Sequence, residues 1–534
     1  LIYRGEILRI NVNNIIVSLE RNQDKEIIKE IEKRGVKRNN IKSIIWSKRS
    51  IDSRKKSDIK LIYNLEVELK TPVDITTLKN ISLAKDIEKA TREPILSIDK
   101  EVAVIGAGPA GLFAALRLAE YGFIPIVFER GEEVDKRDIT TENFVKNSIL
   151  NPNSNIQFGE GGAGTYSDGK LNTRIKSEYM DKIFETLVEC GAPSNILWDY
   201  KPHVGTDILK IVVKNLREKI KSLGGKFFFN HRLENIHIKN GKISGIDIIN
   251  STGEKEYHSF NSVILAIGHS ARDTYRMLHK NGVQMESKPF AIGARIEHPR
   301  CDIDKMQYGK FADNELLGSA TYSVTYNNRA EERGVFSFCM CPGGVIVNAS
   351  SELNTSLVNG MSYSQRDGRF SNSAIVVGVK ENDFGSHLFA GMEFQEKLER
   401  KTYELGQGYG ALYQGVLDFM NNKKTTYEIE SSYEMKKTSY NLNDFFPEVI
   451  VDNMKSAFEY WSKNPMFISR NANLIAPETR TSAPVRIIRD IKGMSVNVYG
   501  LYPIGEGAGY AGGITSAGVD GVKIVDLAFT RVKD

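Results

Sequence analysis

The sequence predicts an α/β protein: a parallel sheet with additional antiparallel strands, interrupted by an inserted α+β domain and preceded by a small α+β unit. Three observations carry this reading. Val102-Ala103-Val104-Ile105 is a short apolar run, followed at once by a glycine-rich turn, a helical stretch from Leu112 to Tyr121 and a second apolar run from Ile124 to Phe128, which together make a βαβ unit. The final block, Gly500 to Asp534, returns to strand, glycine-rich turn and helix, with the helix expected over Thr515 to Phe529. Between these, from about residue 275 to 480, strand and helix periods are short and mixed, as expected of a domain inserted within the first.

The units are expected at 1–95 (small, basic, α+β), 96–275 (first part of the α/β domain), 276–485 (inserted α+β substrate or cap domain) and 486–534 (return to the α/β domain). In the first, β-like runs at Asn14 to Leu19, Ile41 to Trp46 and Ile59 to Leu69 surround an amphipathic helix near Asp24 to Arg34. In the second, a helix over Asp207 to Ser222 and strands near Lys226 to Asn230, Ile243 to Ile249 and Ser262 to Ile267 extend the sheet. In the third, helices are expected at Gln407 to Met420 and Val449 to Ser462.

With 534 residues, 41% hydrophobic and 26% charged, the chain is long enough for several packed cores and has the composition of a globular protein. Four cysteines, Cys190, Cys301, Cys339 and Cys341, are too few and too irregularly spaced for a disulfide framework or a zinc site. No metal is expected, and a reducing, cytoplasmic setting is. The opening Leu1-Ile2-Tyr3-Arg4-Gly5 turns polar too soon for a signal peptide, and Val102 to Ala119 reads as strand, turn and helix instead of a membrane span. The net charge is +5, yet residues 1–100 alone hold 22 Lys and Arg against 15 Asp and Glu, so the basicity belongs to the N-terminal unit. Its run Ser47 to Lys56 carries five cations. It reads as a solvated loop, since it lacks the interleaved aromatics of a nucleic-acid stacking surface.

The strongest motif is Gly106-x-Gly108-x-x-Gly111, set between strand and helix, with Glu129 at the end of the next strand. Gly106 permits the tight turn, Gly108 lets the backbone approach a pyrophosphate, and Gly111 allows close helix–strand packing. Pro109 and Ala110 open a helix whose N–H groups and positive dipole end face that anion. Glu129 accepts from a ribose diol, with Arg130 beside it. This is a Rossmann-type dinucleotide site. The stretch Phe158 to Leu171 holds a formal second match at Gly159, Gly161 and Gly164, but no buried strand precedes it. It reads instead as a loop whose Gly161, Gly162 and Gly164 pass close to a flat ring system and whose Thr165 and Ser167 hydroxyls donate to it. Ala266-x-Gly268 ends an apolar strand with small side chains. Gly505-Glu506 leads through Gly512-Gly513-Ile514 into the last helix, with Glu506 placed for a ribitol hydroxyl and the helix start for negative charge on a reduced flavin.

This ordered set resembles the two-domain FAD-dependent oxidoreductases of the glutathione-reductase and geranylgeranyl-reductase fold. Within that superfamily it is similar to a bacterial group of FAD-dependent dehydrogenases, through Phe158 to Leu171, Ser337-Phe338-Cys339-Met340-Cys341-Pro342-Gly343-Gly344 and Glu478-Thr479-Arg480-Thr481-Ser482. The resemblance spans essentially the whole chain. It implies FAD, a flavin lying along Gly161 to Ser167, and an adenine contact near Arg232 and Leu233; with no flavin-linking motif evident, the FAD is expected to be non-covalent. It also implies a Rossmann-type FAD-binding domain completed by the C-terminal return. Superfamily members usually carry Gly-Asp where this chain has Gly505-Glu506.

The expected activity is transfer of hydride between flavin N5 and a small organic substrate, with NADH or NADPH admitted as a transient donor because only one dinucleotide fingerprint is present. Cys339 and Cys341 are candidate catalytic residues. A redox pair, a pocket lining and plain packing all stay open, because the pairs of disulfide reductases are more widely spaced and neighbouring strand positions face opposite ways. Arg480 is a candidate clamp for a substrate carboxylate or phosphate, or else an inter-domain ion pair. His203, His269 and His298 are candidate proton donors. A flavin-dependent RNA-modifying enzyme using the basic N-terminal unit and a flavin redox sensor or scaffold are the alternatives. Substrate identity, oligomeric state and any macromolecular partner are not legible.

Overall fold

A computed structural model describes residues 8–74, 78–84, 91–173 and 175–533; the opening Leu1 to Gly5 lies outside them. The chain divides into two compact units, 1–90 with 193–202 and 304–320, and the remainder.

The smaller unit is an antiparallel sheet in the order Ile41–Asp52, Lys60–Leu69, Arg9–Ser18, Ile81–Leu83. Lys60–Leu69 alternates strictly, burying Leu61, Tyr63, Leu65, Val67 and Leu69, the two-residue period of a sheet with one covered face. Helix Gln23–Lys33 is capped by Asn22, whose side chain accepts from Lys25 N at 3.0 Å, and buries Ile27 and Ile31. The run expected as a loop at Ser47 to Lys56 is strand as far as Asp52. Arg49 pairs with Asp199 at 2.9 Å, Arg54 pairs with Asp52 at 2.6 Å, and Lys48 lies over the Tyr200 ring, so the cationic run is partly neutralised by its own unit.

In the larger unit a five-stranded parallel sheet runs in the order Leu501–Pro503, Val263–Leu265, Glu101–Ile105, Ile124–Glu129, Lys226–Phe229. The return of the chain after residue 500 supplies one edge strand. Glu101–Ile105 is central and its neighbours follow on opposite sides, so its carboxyl end is the topological switch point where open α/β sheets bind ligands. Helices Pro109–Glu120 and Ile514–Phe529 pack closely: a Cβ on Gly521 would stand 2.4 Å from the Ala110 carbonyl oxygen. An antiparallel sheet, Lys255–His258, Lys242–Ile249, Arg232–Lys239, supplies the additional strands.

Residues 290 to 478 form more regular structure than their mixed periods suggested. A seven-stranded sheet runs Thr325–Asn328, Arg333–Cys341, Phe370–Val379, Phe290–Pro299, Asn473–Glu478, Ala411–Gly415, Lys437–Ser439. The helix expected over Gln407 to Met420 is a correction: 411–415 is a wholly buried strand in that sheet and only Val416–Met420 is helical. Gly408 and Gly410 stop a helix from passing through, and burial on both faces erases the alternation that would have marked a strand. Helix Glu448–Trp461 agrees with its expected bounds to one residue. No helix among the described residues is long and apolar enough to cross a membrane.

Candidate active site

A cleft in the larger unit, with about 1740 Å³ of empty space including its open mouth, runs past the switch point. Its first stretch is built by the glycine fingerprint. Gly106 has φ +102° and a Cβ there would stand 2.4 Å from Ala266 O, while one on Gly111 would stand 1.9 Å from Gly106 O. Gly108 differs: its nearest neighbour to a Cβ is Gly162 Cα at 3.9 Å, and the space belongs to the cleft. The helix that starts at Pro109 has no side-chain cap, leaving first-turn N–H groups to a ligand.

Glu129 is 5% exposed and lines the cleft. Its carboxylate accepts from Ala107 N (2.8 Å), Gly131 N (2.9 Å) and Gly159 N (3.0 Å). It therefore ties the fingerprint to the Gly159 loop. A carboxylate offers about four acceptor positions, so one is left for a diol. Glu129→Ala is expected to cost about 3 kcal/mol of stability by orphaning buried N–H groups, read as a lowered denaturant midpoint at unchanged slope. Arg130 lies over the Phe158 ring at 4.2 Å from its centroid and pairs with Asp273 at 2.9 Å. Arg130 and Phe158, with Arg232 and Leu233, form one end of the cleft.

The Gly159 loop forms the middle. Gly161 (φ +78°) donates from its N to Ala107 O at 2.8 Å, and Gly162 and Gly164 line the cleft. The Thr165 and Ser167 hydroxyls donate to Glu160 O (3.1 Å) and Gly164 O (2.7 Å), so in this structure they brace the loop; Ser167 reaches the cleft wall, and Thr165 is buried behind it. Opposite stand Ala266, Gly268, Glu506, Gly512, Gly513 and Ile514. Gly505 lies behind, its N donating to Asp520 Oδ2 at 2.7 Å. The Glu506 side chain makes no hydrogen bond or ion pair with the described residues; burial pushes its carboxyl up to about 7 despite the cation of Lys288. An unengaged carboxyl facing the cleft suits a polyhydroxyl chain, and with the open space at Gly108 it fits FAD to this cleft.

At the inner end are Asp168, Lys170, Phe338, Cys339, Asn359, Arg480 and Thr481. Burial favours the neutral acid at Asp168, yet Lys170 and Arg366 hold it at about 2, with Arg366 Nε 2.9 Å from Oδ1. Arg295, fully buried, donates to Glu478 (2.6 Å), Asn372 (2.7 Å) and the Cys339 carbonyl (2.6 Å). Cys341 is buried. Two residues apart, the cysteines would share one face of a regular strand, but the strand register shifts between Phe338 and Cys341, and Cys339 has φ +45°.

Arg480 reaches the cleft wall, but its guanidinium is engaged with Glu399 (2.9 and 2.7 Å), Glu352 (3.0 Å) and Ser351 (2.6 Å). Arg272 shares the same carboxylates. His269 faces the cleft beside this cluster, and burial, then the two arginines, lower it to about 3, so it is a neutral ring at ordinary pH. His298 is buried with Nε2 2.7 Å from Phe467 O and is held at about 4 by burial. His203 Nε2 lies 3.1 Å from Ser364 O. Neither lines the cleft. The sequence reading missed Lys170, Arg366 and Arg295. For Arg295 a signal existed: a cation inside the otherwise apolar run Phe290 to Ile296 requires a buried partner.

This glycine-built cleft, open at a sheet switch point and closed by a polar inner end, defines a dinucleotide-dependent oxidoreductase. Residues 100–291 match the family model of the pyridine nucleotide-disulphide oxidoreductases. Residues 289–481 match that of the FAD-dependent protein, C-terminal domain-like, and residues 9–68 a domain of unknown function. A protein of Clostridium beijerinckii, described as uncharacterized, is 45% identical over 532 residues, covering 97% of this chain and 98% of that one. The flavin-dependent brominase Bmp2 covers 80% of this chain and 79% of its own at 10% identity, with a TM-score of 0.36. Thermovibrio ammonificans THI4 covers 35% and 67% at 20% identity, with a TM-score of 0.25; likenesses this weak carry no argument. With its Clostridium relative, the chain belongs to a bacterial family of FAD-dependent oxidoreductases.

Proposed function

We propose that the chain passes hydride between N5 of non-covalently bound FAD and a small organic substrate at the inner end of the cleft, with NADH or NADPH as a transient donor. One observation carries this reading: the dinucleotide stretch of the cleft and its polar inner end are continuous. Bound FAD supplies the redox chemistry. The protein's residues bind and orient. Gly108 and the helix start receive the pyrophosphate, Glu129 a ribose and Glu506 the ribitol chain. The Gly159 loop presents backbone to the ring system, and Lys170 gives the inner end a cation for an anionic substrate group. Arg480, held by two carboxylates, acts as a positioning residue for the wall. With one glycine fingerprint in strand context, a nicotinamide donor would share this cleft instead of taking a domain of its own.

The test is anaerobic stopped-flow absorbance of FAD-loaded protein mixed with NADH and, separately, NADPH. Rapid bleaching of the flavin band with one of them is the expected result. No bleaching with either removes the nicotinamide donor from the proposal, and no response to a broad panel of donors and acceptors would overturn it.

A further inference from the structure

We propose that Cys339 and Cys341 form a thiol–disulfide couple that exchanges two electrons with the flavin of the cleft. The inference rests on the FAD reading above and adds a second redox centre to the same site. Cys339 lines the inner end of the cleft and Cys341 is fully buried, hydrogen-bonded through its Sγ to the Cys339 backbone.

In a straight strand, residues two apart have Cα atoms about 6.6 Å apart, near the upper limit for a disulfide. This strand is not straight. The register shift between Phe338 and Cys341 and the positive φ of Cys339 bend it at the pair, and Cys341 Sγ donates to the Cys339 carbonyl oxygen at 3.3 Å. Left-handed backbone is strained at a residue other than glycine, so the bend is held against its own strain by the surroundings. Arg295 does part of the holding, with Nη2 2.6 Å from the Cys339 carbonyl oxygen and 3.7 Å from Cys341 Sγ.

The charges around the pair divide its protons. The hydrogen bond from Cys341, with Lys170 and Arg295 nearby, holds the Cys339 thiol below its usual range against the effect of burial. The same hydrogen bond and burial push Cys341 up. The reduced pair is thus one thiolate, facing the cleft, and one thiol. Forming the S–S bond from that state releases two electrons and the single proton of Cys341. An oxidised flavin takes up two electrons and one proton on full reduction, so the exchange balances without another reactant. Lys170 Nζ, buried and without a hydrogen-bond partner among the described residues, lies 3.5 Å from Asp168 Oδ2 and supplies the positive field on the cleft side.

The test uses the full chain in two forms. In FAD-free protein, iodoacetamide at mildly acidic pH followed by mass spectrometry is expected to label Cys339 about tenfold faster than exposed Cys301, and Cys341→Ser to remove most of that advantage. In FAD-loaded protein, an anaerobic dithionite titration from the fully oxidised state is expected to consume about four electrons per flavin, and about two in Cys339→Ser or Cys341→Ser. Two electrons in the unsubstituted protein, with both cysteines open to alkylation throughout, would overturn the couple and leave the flavin reading standing. If the protein takes up no FAD, that reading fails instead, and equal labelling of Cys339 and Cys301 would overturn the couple on its own.

Discussion

Gly108→Val is expected to weaken FAD binding by on the order of 100-fold, about 3 kcal/mol, while the FAD-free protein keeps its thermal midpoint. A Cβ at this position meets no atom nearer than 3.9 Å, so the apoprotein accepts the side chain without strain. The branched methyls occupy the space beside the uncapped helix start, and charge-assisted hydrogen bonds of ~1.5–3 kcal/mol each are lost when the phosphates cannot approach. Gly111→Val separates binding from folding. Its Cβ would stand 1.9 Å from Gly106 O, so this variant is expected to lose stability with or without cofactor. Equal behaviour of the two variants, by calorimetry and by flavin fluorescence titration, would contradict the division of labour within the motif.

The second large effect is expected at Glu399. It is fully buried and accepts from Arg272 Nη1 and Nη2, from Arg480 Nε and Nη2, and from Thr479 Oγ1 at 2.7 Å. Burial favours its neutral form, but Arg272 and Arg480 outweigh that and hold its carboxyl far below the usual range. Glu399→Ala leaves two buried guanidinium groups short of charge and is expected to cost about 3–5 kcal/mol. The pH dependence has a definite sign. Because the folded pKa is depressed, the stabilisation is complete above the unfolded value of 4.5 and is lost as pH falls below it. Chemical denaturation at a series of pH values should show a steeper acid loss in the unsubstituted protein than in Glu399→Gln, and parallel curves would contradict the assignment.

The glycine fingerprint was legible because its constraint is local: each glycine answers to atoms within a few residues or on the next strand. The same holds for Glu129, whose position after an apolar run marks a strand end. Its three backbone partners were not legible, since Gly159 is thirty residues away and only the folded loop brings it there. Strand 411–415 was misread because burial on both faces leaves no period to read. The long strand Phe290–Pro299 was obscured by Arg295, Glu297 and His298, all buried, whose partners lie in distant segments such as Glu478, Ser432 and Phe467. The arrangement of Cys339 and Cys341 depends on a bend that no composition rule marks. Arg480 shows the converse: a side chain read as a substrate clamp has its donors engaged once Glu399 and Glu352 are in place.

The most direct test of the account is the stoichiometry of FAD binding to the FAD-free chain, by fluorescence titration at protein concentrations well above the dissociation constant. One FAD per chain, lost in Gly108→Val, is the predicted result. Two per chain, with the Gly159 loop acting as a second dinucleotide site, or binding that survives Gly108→Val unchanged, would contradict it.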